Sequence, residues 1–122
     1  MSRIDRVLEE ARSRLTRLSA RDVPAVLERG ALLVDIRPQA QREREGGVPA
    51  ALVIERNVLE WRLDPTSEHR LGVASDDARI IVVCNEGFAS SLAARTLQQL
   101  GVTRATDLQG GYRGWRRYRQ SG

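Results

Sequence analysis

Apolar positions along this chain recur at two spacings, and the two alternate. Ile80-Ile81-Val82-Val83 is a run of four β-branched residues, the pattern of a strand buried on both faces in a parallel sheet. Ala89, Leu92, Ala93, Thr96, Leu97 and Leu100 then share one side of a helical projection, and Gly101 stands where a left-handed C-cap belongs. Residues 31–36 predict a second buried strand. A short helix leads into it, with Ser19 and Asp22 as a capping box, Pro24 in the first turns, Val23, Val26 and Leu27 on its apolar face, and Gly30 as its stop. Residues 48–54 read as a turn into a third short strand, and residues 104–108 as a fourth, less marked one. Residues 39–45 form a polar helix closed by Gly46-Gly47, and residues 57–63 a helix stopped by Asp64-Pro65. Ile4, Val7, Leu8, Ala11, Leu15 and Leu18 make a narrow stripe among charged residues, an amphipathic helix over residues 1–18. Residues 66–78 are a polar loop without a motif.

Strands alternating with helices predict an α/β fold with a mainly parallel sheet and helices on both faces. At 122 residues the chain suits one domain, residues 19–122, preceded by the amphipathic helix. That helix is expected to pack on the domain's own body. It also offers a seam for a homodimer, while its mixed charges argue against a membrane surface.

Composition narrows the function classes. Twenty basic residues against 16 acidic ones give +4, with the basic residues all arginine and the charges mostly interspersed. One cysteine excludes an internal disulfide, and no apolar run approaches a membrane span. The first residues lack a secretory pattern, so the expected location is cytoplasmic. Without CxxC or HExxH, and with His69 as the one histidine in a polar stretch, no zinc site is expected. The terminus, residues 112–119, interleaves aromatics with arginines, which can stack on single-stranded nucleic acid. Docking of Trp115 on the core with the arginines in solvent is the preferred reading, so no nucleic-acid partner is expected.

The chemistry centres on Cys84, which ends the apolar strand and opens a Gly-containing loop before a helix. A curled loop and a first helical turn leave backbone N–H groups without internal partners, and these favour negative charge at the loop's mouth. A thiolate there is a nucleophile. Gly87 supplies the backbone freedom such a curl needs. The competing reading is that Cys84 is a small buried hydrophobe. Asp35 and Arg37 close the second strand at the sheet edge where ligands bind in open α/β folds. A structural ion pair supporting the site is favoured for them over direct chemistry.

Four segments, in order, resemble the rhodanese-homology family. Leu33-Val34-Asp35-Ile36-Arg37 is similar to its apolar strand ending in Asp-x-Arg, and Gly46-Gly47-Val48-Pro49-Ala50-Ala51 to its Gly-His-Ile-Pro-Gly-Ala segment. Residues 82–94 resemble the active-site loop with its following helix, and Gly110-Gly111-Tyr112-Arg113-Gly114-Trp115 the closing Gly-Gly-x-x-x-Trp. The resemblance covers nearly all of the chain from about Leu18 and implies a sulfurtransferase. A sulfane sulfur would pass from thiosulfate or a persulfide, small or protein-borne, to cyanide or a thiol through a persulfide on Cys84, with no metal or organic cofactor. It further implies that the amides of Asn85, Glu86, Gly87, Phe88, Ala89 and Ser90 form the anion cradle. Ser90 would cap the helix, and Asp35 and Arg37 would brace the loop.

This chain departs from the family pattern at several places. Gly47 and Ala50 replace His and Gly. The loop has no basic residue, and Glu86 puts a negative charge within reach of an anionic donor, which favours a persulfide over thiosulfate. Phe88 and Trp61 are candidate pocket walls. Phosphatases of related architecture use Cys-x5-Arg, but that place here is Ser90, and Arg95 comes a turn too late. The remaining rival is a non-catalytic rhodanese-like module that binds a partner or senses stress.

Overall fold

A computed structural model describes residues 1–121. Four parallel strands, β1 (Leu32–Asp35), β2 (Leu52–Val53), β3 (Ile80–Val83) and β4 (Thr106–Asp107), lie in the order β2-β1-β3-β4. Among the described residues six α-helices surround them: α1 (Arg3–Ser13), α2 (Val23–Glu28), α3 (Gln39–Glu45), α4 (Leu59–Leu63), α5 (Ala89–Gln99) and α6 (Gly111–Ser121). Among the described residues no helix is long and apolar enough to cross a membrane. The α/β expectation with a parallel sheet therefore holds.

Successive side chains of a strand point to opposite faces, and the core divides accordingly. Val34, Ile80 and Val82 pack with Leu59, Leu63, Ala94 and Leu97 on one face. Leu33, Ile81 and Val83 pack with Val23, Val26, Leu108, Tyr112 and Trp115 on the other. The β-branched run of β3 is thus buried from both sides, as its sequence requires.

Strand order fixes where a site can form. After β1 the chain moves outward to β2, then returns to lay β3 on the opposite side of β1. Loops leaving the carboxyl ends of β1 and β3 diverge there and leave a crevice. Asp35 and Arg37 stand at one lip and Cys84 at the other.

Three details differ from the sequence reading. The amphipathic stripe over residues 1–18 is helical only to Ser13, because the chain straightens so that Leu18 can bridge Leu108 beside β4. Ile4 and Val7 remain exposed, whereas Ala11 is buried. In α5 the buried face is Ser90, Ser91, Ala93, Ala94 and Leu97, rotated from the apolar stripe. Two serines go inward because an acid on β4 receives their hydroxyls. The basic terminus folds as α6, with Tyr112 buried and Trp115 packed on the core.

Ala50 carries φ +70° in a turn closed by Ala51 N–H donating to Val48 O at 3.2 Å, with Pro49 before it. This third turn position ordinarily takes glycine, and an L side chain there costs about 1–2 kcal/mol. Ala50→Gly is expected to raise stability by about 0.5–1 kcal/mol, the strain relief less glycine's greater unfolded-state entropy. A shift of the urea midpoint to higher concentration at constant m checks it.

Candidate active site

The Cys84 loop is held from behind by the start of α6. Tyr112 N–H donates to Cys84 O at 2.8 Å, and Arg113 N–H to Asn85 O at 3.0 Å. Contact is close enough that a Cβ on Gly111 would lie 2.6 Å from Cys84 O, and one on Gly87 would lie 2.9 Å from Gly110 N. Both glycines also have positive φ, +59° and +92°, so side chains are excluded twice over. In a trans peptide the carbonyl and the next N–H point opposite ways. Anchoring the carbonyls of residues 84 and 85 on α6 therefore turns the Asn85 and Glu86 N–H groups away from it.

Two of the six cradle amides reach the sulfur. Gly87 N–H and Ser90 N–H donate to Cys84 Sγ at 3.1 and 3.3 Å. Asn85, Glu86, Phe88 and Ala89 make no such bond to Sγ and instead line the cavity above it. The cavity has a volume of about 490 Å³ and opens between the lips of β1 and β3, with Ile36, Arg37 and Arg56 across from the loop. Cys84 is 7% exposed: it packs into the core on one side and meets the cavity on the other. Converging N–H donors on a reachable sulfur stabilise charge on it, which a thiol serving only as core filler does not need.

Ser90 does not cap α5. Phe88 is the N-cap and makes no side-chain capping bond, while Ser90 Oγ donates to Asp107 Oδ2 at 2.7 Å and Ser91 Oγ to the same oxygen at 2.8 Å. Ser90 is the second residue of α5, past the capping position, and its inward hydroxyl donates to a charged acceptor. Arg17 completes this buried cluster, with Nε 2.9 Å from Asp107 Oδ1 and Nη2 3.2 Å from Oδ2. Asp107, Arg17 and Arg12 are site residues that the sequence reading missed. The one signal was an acid inside the β4 pattern, next to positions expected to be buried.

Asp35 and Arg37 form a fully buried pair, each 1% exposed, with Arg37 Nη2 2.8 Å from Asp35 Oδ2. Arg37 Nη2 also donates to Gly46 O at 2.8 Å, and its guanidinium stacks 4.0 Å from the Tyr112 ring centre. Tyr112 connects this pair to the loop: its N–H donates to Cys84 O and its hydroxyl to Glu45 O.

Glu86 lies on the rim, with its carboxylate 3.7 Å from Arg113 Nη1. Arg113 also donates to Glu45, whose carboxyl stays below its usual range because the contacts from Arg113, Asn85 and Arg37 outweigh the upward push of desolvation. Phe88, 57% exposed, does line the cavity. Trp61 does not: α4 directs Leu59 and Leu63 into the core and leaves Trp61 in solvent, away from the crevice. His69 is exposed in the loop after α4.

The rhodanese-like domain model matches residues 19–118. Adenylyltransferase and sulfurtransferase MOCS3 of Oryza sativa subsp. japonica is 32% identical over 107 residues, covering 81% of this chain and 24% of that protein. The chain spans about a quarter or less of the length of the curated relatives it matches. A Rhodopseudomonas palustris CGA009 protein of unknown function, RPA3614, described as a possible tyrosine phosphatase, superposes with TM-score 0.86 at 30% identity, covering 97% of this chain and 92% of that one. The human single-domain sulfurtransferase TSTD1 superposes with TM-score 0.67 at 25% identity, covering 83% and 95%. With its ordered motifs, its parallel sheet and a match across most of its length, this chain belongs to the rhodanese-like domain family.

Proposed function

We propose that the chain is a sulfurtransferase that carries a sulfane sulfur as a persulfide on Cys84. The observation that carries this reading is the pair of amides, Gly87 N–H and Ser90 N–H, converging on Sγ at the floor of an open cavity. Family membership and the sulfurtransferases among its relatives support it.

In the first half-reaction the Cys84 thiolate attacks the outer sulfur of the donor. A bond forms between Sγ and that sulfur, the donor's S–S bond breaks, and the leaving sulfite or thiolate takes the electron pair. In the second, cyanide or a thiolate attacks the outer sulfur of the enzyme persulfide. The Sγ–S bond breaks, Cys84 returns as thiolate, and thiocyanate or a new persulfide departs. Negative sulfur sits at the cavity floor before loading and at the terminal atom afterwards. Glu86 and Phe88 line the cavity above the two amides that hold Sγ, and the anchoring of the preceding carbonyls turns their N–H groups toward that second position.

Thiosulfate brings two negative charges past Glu86, whereas a thiol persulfide brings about one. Its rim position and its contact with Arg113 temper the repulsion without removing it. We expect Glu86→Gln to lower the thiosulfate concentration for half-maximal loading by roughly threefold to fivefold, with a smaller effect for a low-charge persulfide. Steady-state thiocyanate formation at varied donor concentration checks it.

A phosphatase reading follows the description of the Rhodopseudomonas relative and ranks below. The position of the oxyanion-clamping arginine is Ser90, whose hydroxyl is buried and committed to Asp107. Aryl phosphate turnover that disappears in Cys84→Ser would reverse this order.

The deciding experiment is intact-mass spectrometry of the purified protein after exposure to thiosulfate and, separately, to a persulfide donor. A gain of one sulfur atom that cyanide removes is the expected result. No gain from several donors would leave a binding module of the same fold.

A further inference from the structure

Arg12 and Arg17 lie before the family-matched residues 19–118, yet both reach the Cys84 loop. Arg12 Nη2 donates to Gly87 O at 2.7 Å and Arg17 Nη2 to the same oxygen at 2.9 Å. Two guanidinium groups on one carbonyl repel each other and must be offset. Asp107 provides part of that offset through its ion pair with Arg17. Ser91 ties the two sides together, since it accepts from Arg12 Nε at 3.1 Å and donates to Asp107. Burial, and then the charge of Arg17, lower the pKa of Arg12, while Asp107 and Cys84 act in the opposite sense. Cys84 thus lies within electrostatic range of Arg12, although no bond joins them.

The geometry matters because of what the clamped carbonyl faces away from. Gly87 O belongs to the Gly87–Phe88 peptide, and holding it toward α1 turns the Phe88 N–H the other way, where Phe88 lines the cavity. Gly87 links this peptide to the preceding one, whose N–H donates to Sγ. With φ at +92°, glycine is free to rotate, so the loop's own chemistry does not hold these planes in place. The carbonyls of residues 84 and 85 have α6 as their anchor, and that of Gly87 has the two arginines. Arg12 also lies over the Phe88 ring, 5.5 Å from its centre.

We infer that Arg12, carried on α1 outside the family-matched segment, is a positioning residue of the active site: with Arg17 it clamps Gly87 O and so keeps the loop amides aimed at Cys84 and its sulfur cargo. This rests on the proposed use of Cys84 in sulfur transfer. The clamp itself can be tested without that activity, through the reactivity of the thiol. Arg12 is the residue to vary, because Arg17 also neutralises buried Asp107.

The experiment compares the full chain with Arg12→Ala and Arg12→Lys for the rate of Cys84 alkylation by iodoacetamide at neutral pH. Urea midpoints are recorded for each, along with single-turnover sulfur loading at varied donor concentration. Arg12→Ala is expected to slow alkylation by about tenfold, the scale of one charge-assisted hydrogen bond. Arg12→Lys, with a charge and a donor but no fork, should recover part of that. Maximal loading rate should fall with alkylation while the half-saturating donor concentration stays put. Should Arg12→Ala fail to fold, Arg12→Gln carries the same comparison. Alkylation at the wild-type rate in the alanine or glutamine variant, whatever happens to the urea midpoint, overturns the inference. If alkylation slows but wild type accepts no sulfur from any donor, the clamp stands and the sulfurtransferase reading falls.

Discussion

Cys84→Ser is expected to fold as wild type does and to gain no sulfur from any donor, with turnover reduced to background. Serine is nearly isosteric, and its Oγ can accept the Gly87 and Ser90 N–H groups that Sγ accepts. The cradle, the carbonyl anchors on α6 and the arginine clamp do not depend on sulfur. What disappears is the proposed nucleophile: an alcohol is almost wholly protonated at neutral pH, no side chain among the described residues accepts a hydrogen bond from Sγ, and an oxygen cannot hold a persulfide. In the proposed route the thiol is the covalent carrier in both half-reactions, so no parallel path remains, and the loss should equal the entire enzymatic rate. Urea unfolding and a thiocyanate-formation assay on the same preparation check both halves. A serine variant that still formed thiocyanate at more than a few hundredths of the wild-type rate would remove Cys84 from the mechanism.

The largest expected loss of stability is at Asp107. Its carboxylate is fully buried and accepts four hydrogen bonds, two from Arg17 and one each from Ser90 and Ser91. Asp107→Ala strands a guanidinium and two hydroxyls in a site with little water. Breaking a buried pair in this way costs about 3–5 kcal/mol, against the roughly 5–15 kcal/mol that holds a typical domain together. Asp107→Asn should fall between, because one face of the amide presents N–H donors where only acceptors are wanted. The damage is not confined to stability. Ser90 supplies an N–H to Sγ, and Arg17 holds Gly87 O, so material that still folds should alkylate and load more slowly than its urea midpoint alone would explain. An Asp107→Ala unfolding free energy within about 0.5 kcal/mol of wild type would mean that the cluster is not held as the structure has it.

Much of the site was legible because it is written locally. The β-branched run before Cys84, the glycine after it and the helix beyond placed a thiol under free amides without reference to any distant residue. Asp35 and Arg37 were legible for the same reason, lying two positions apart at a strand end. The misreadings have two causes. The stripe through Leu15 and Leu18 has helical spacing, yet Leu18 is claimed by Leu108, 90 residues away. Ser90 resembles a helix cap, yet Asp107 takes its hydroxyl across 17 residues. Trp61 looks like a pocket wall until the short turns of α4 direct it into solvent. In each case a long-range partner or a helix rotation overrode a sound local preference.

The sequence by itself determined the order of strands and helices, the place of the one cysteine at a strand end and the curl that surrounds it, because hydrophobic periodicity and glycine placement act between near neighbours. The tertiary structure alone decided which loop amides face the sulfur, since that depends on where the carbonyls of residues 84, 85 and 87 are tied. Those anchors come from both ends of the chain, Arg12 and Arg17 at one and Tyr112 and Arg113 at the other. A peptide plane has no preferred facing until something packs against it, and no local spacing encodes contacts made across so much chain.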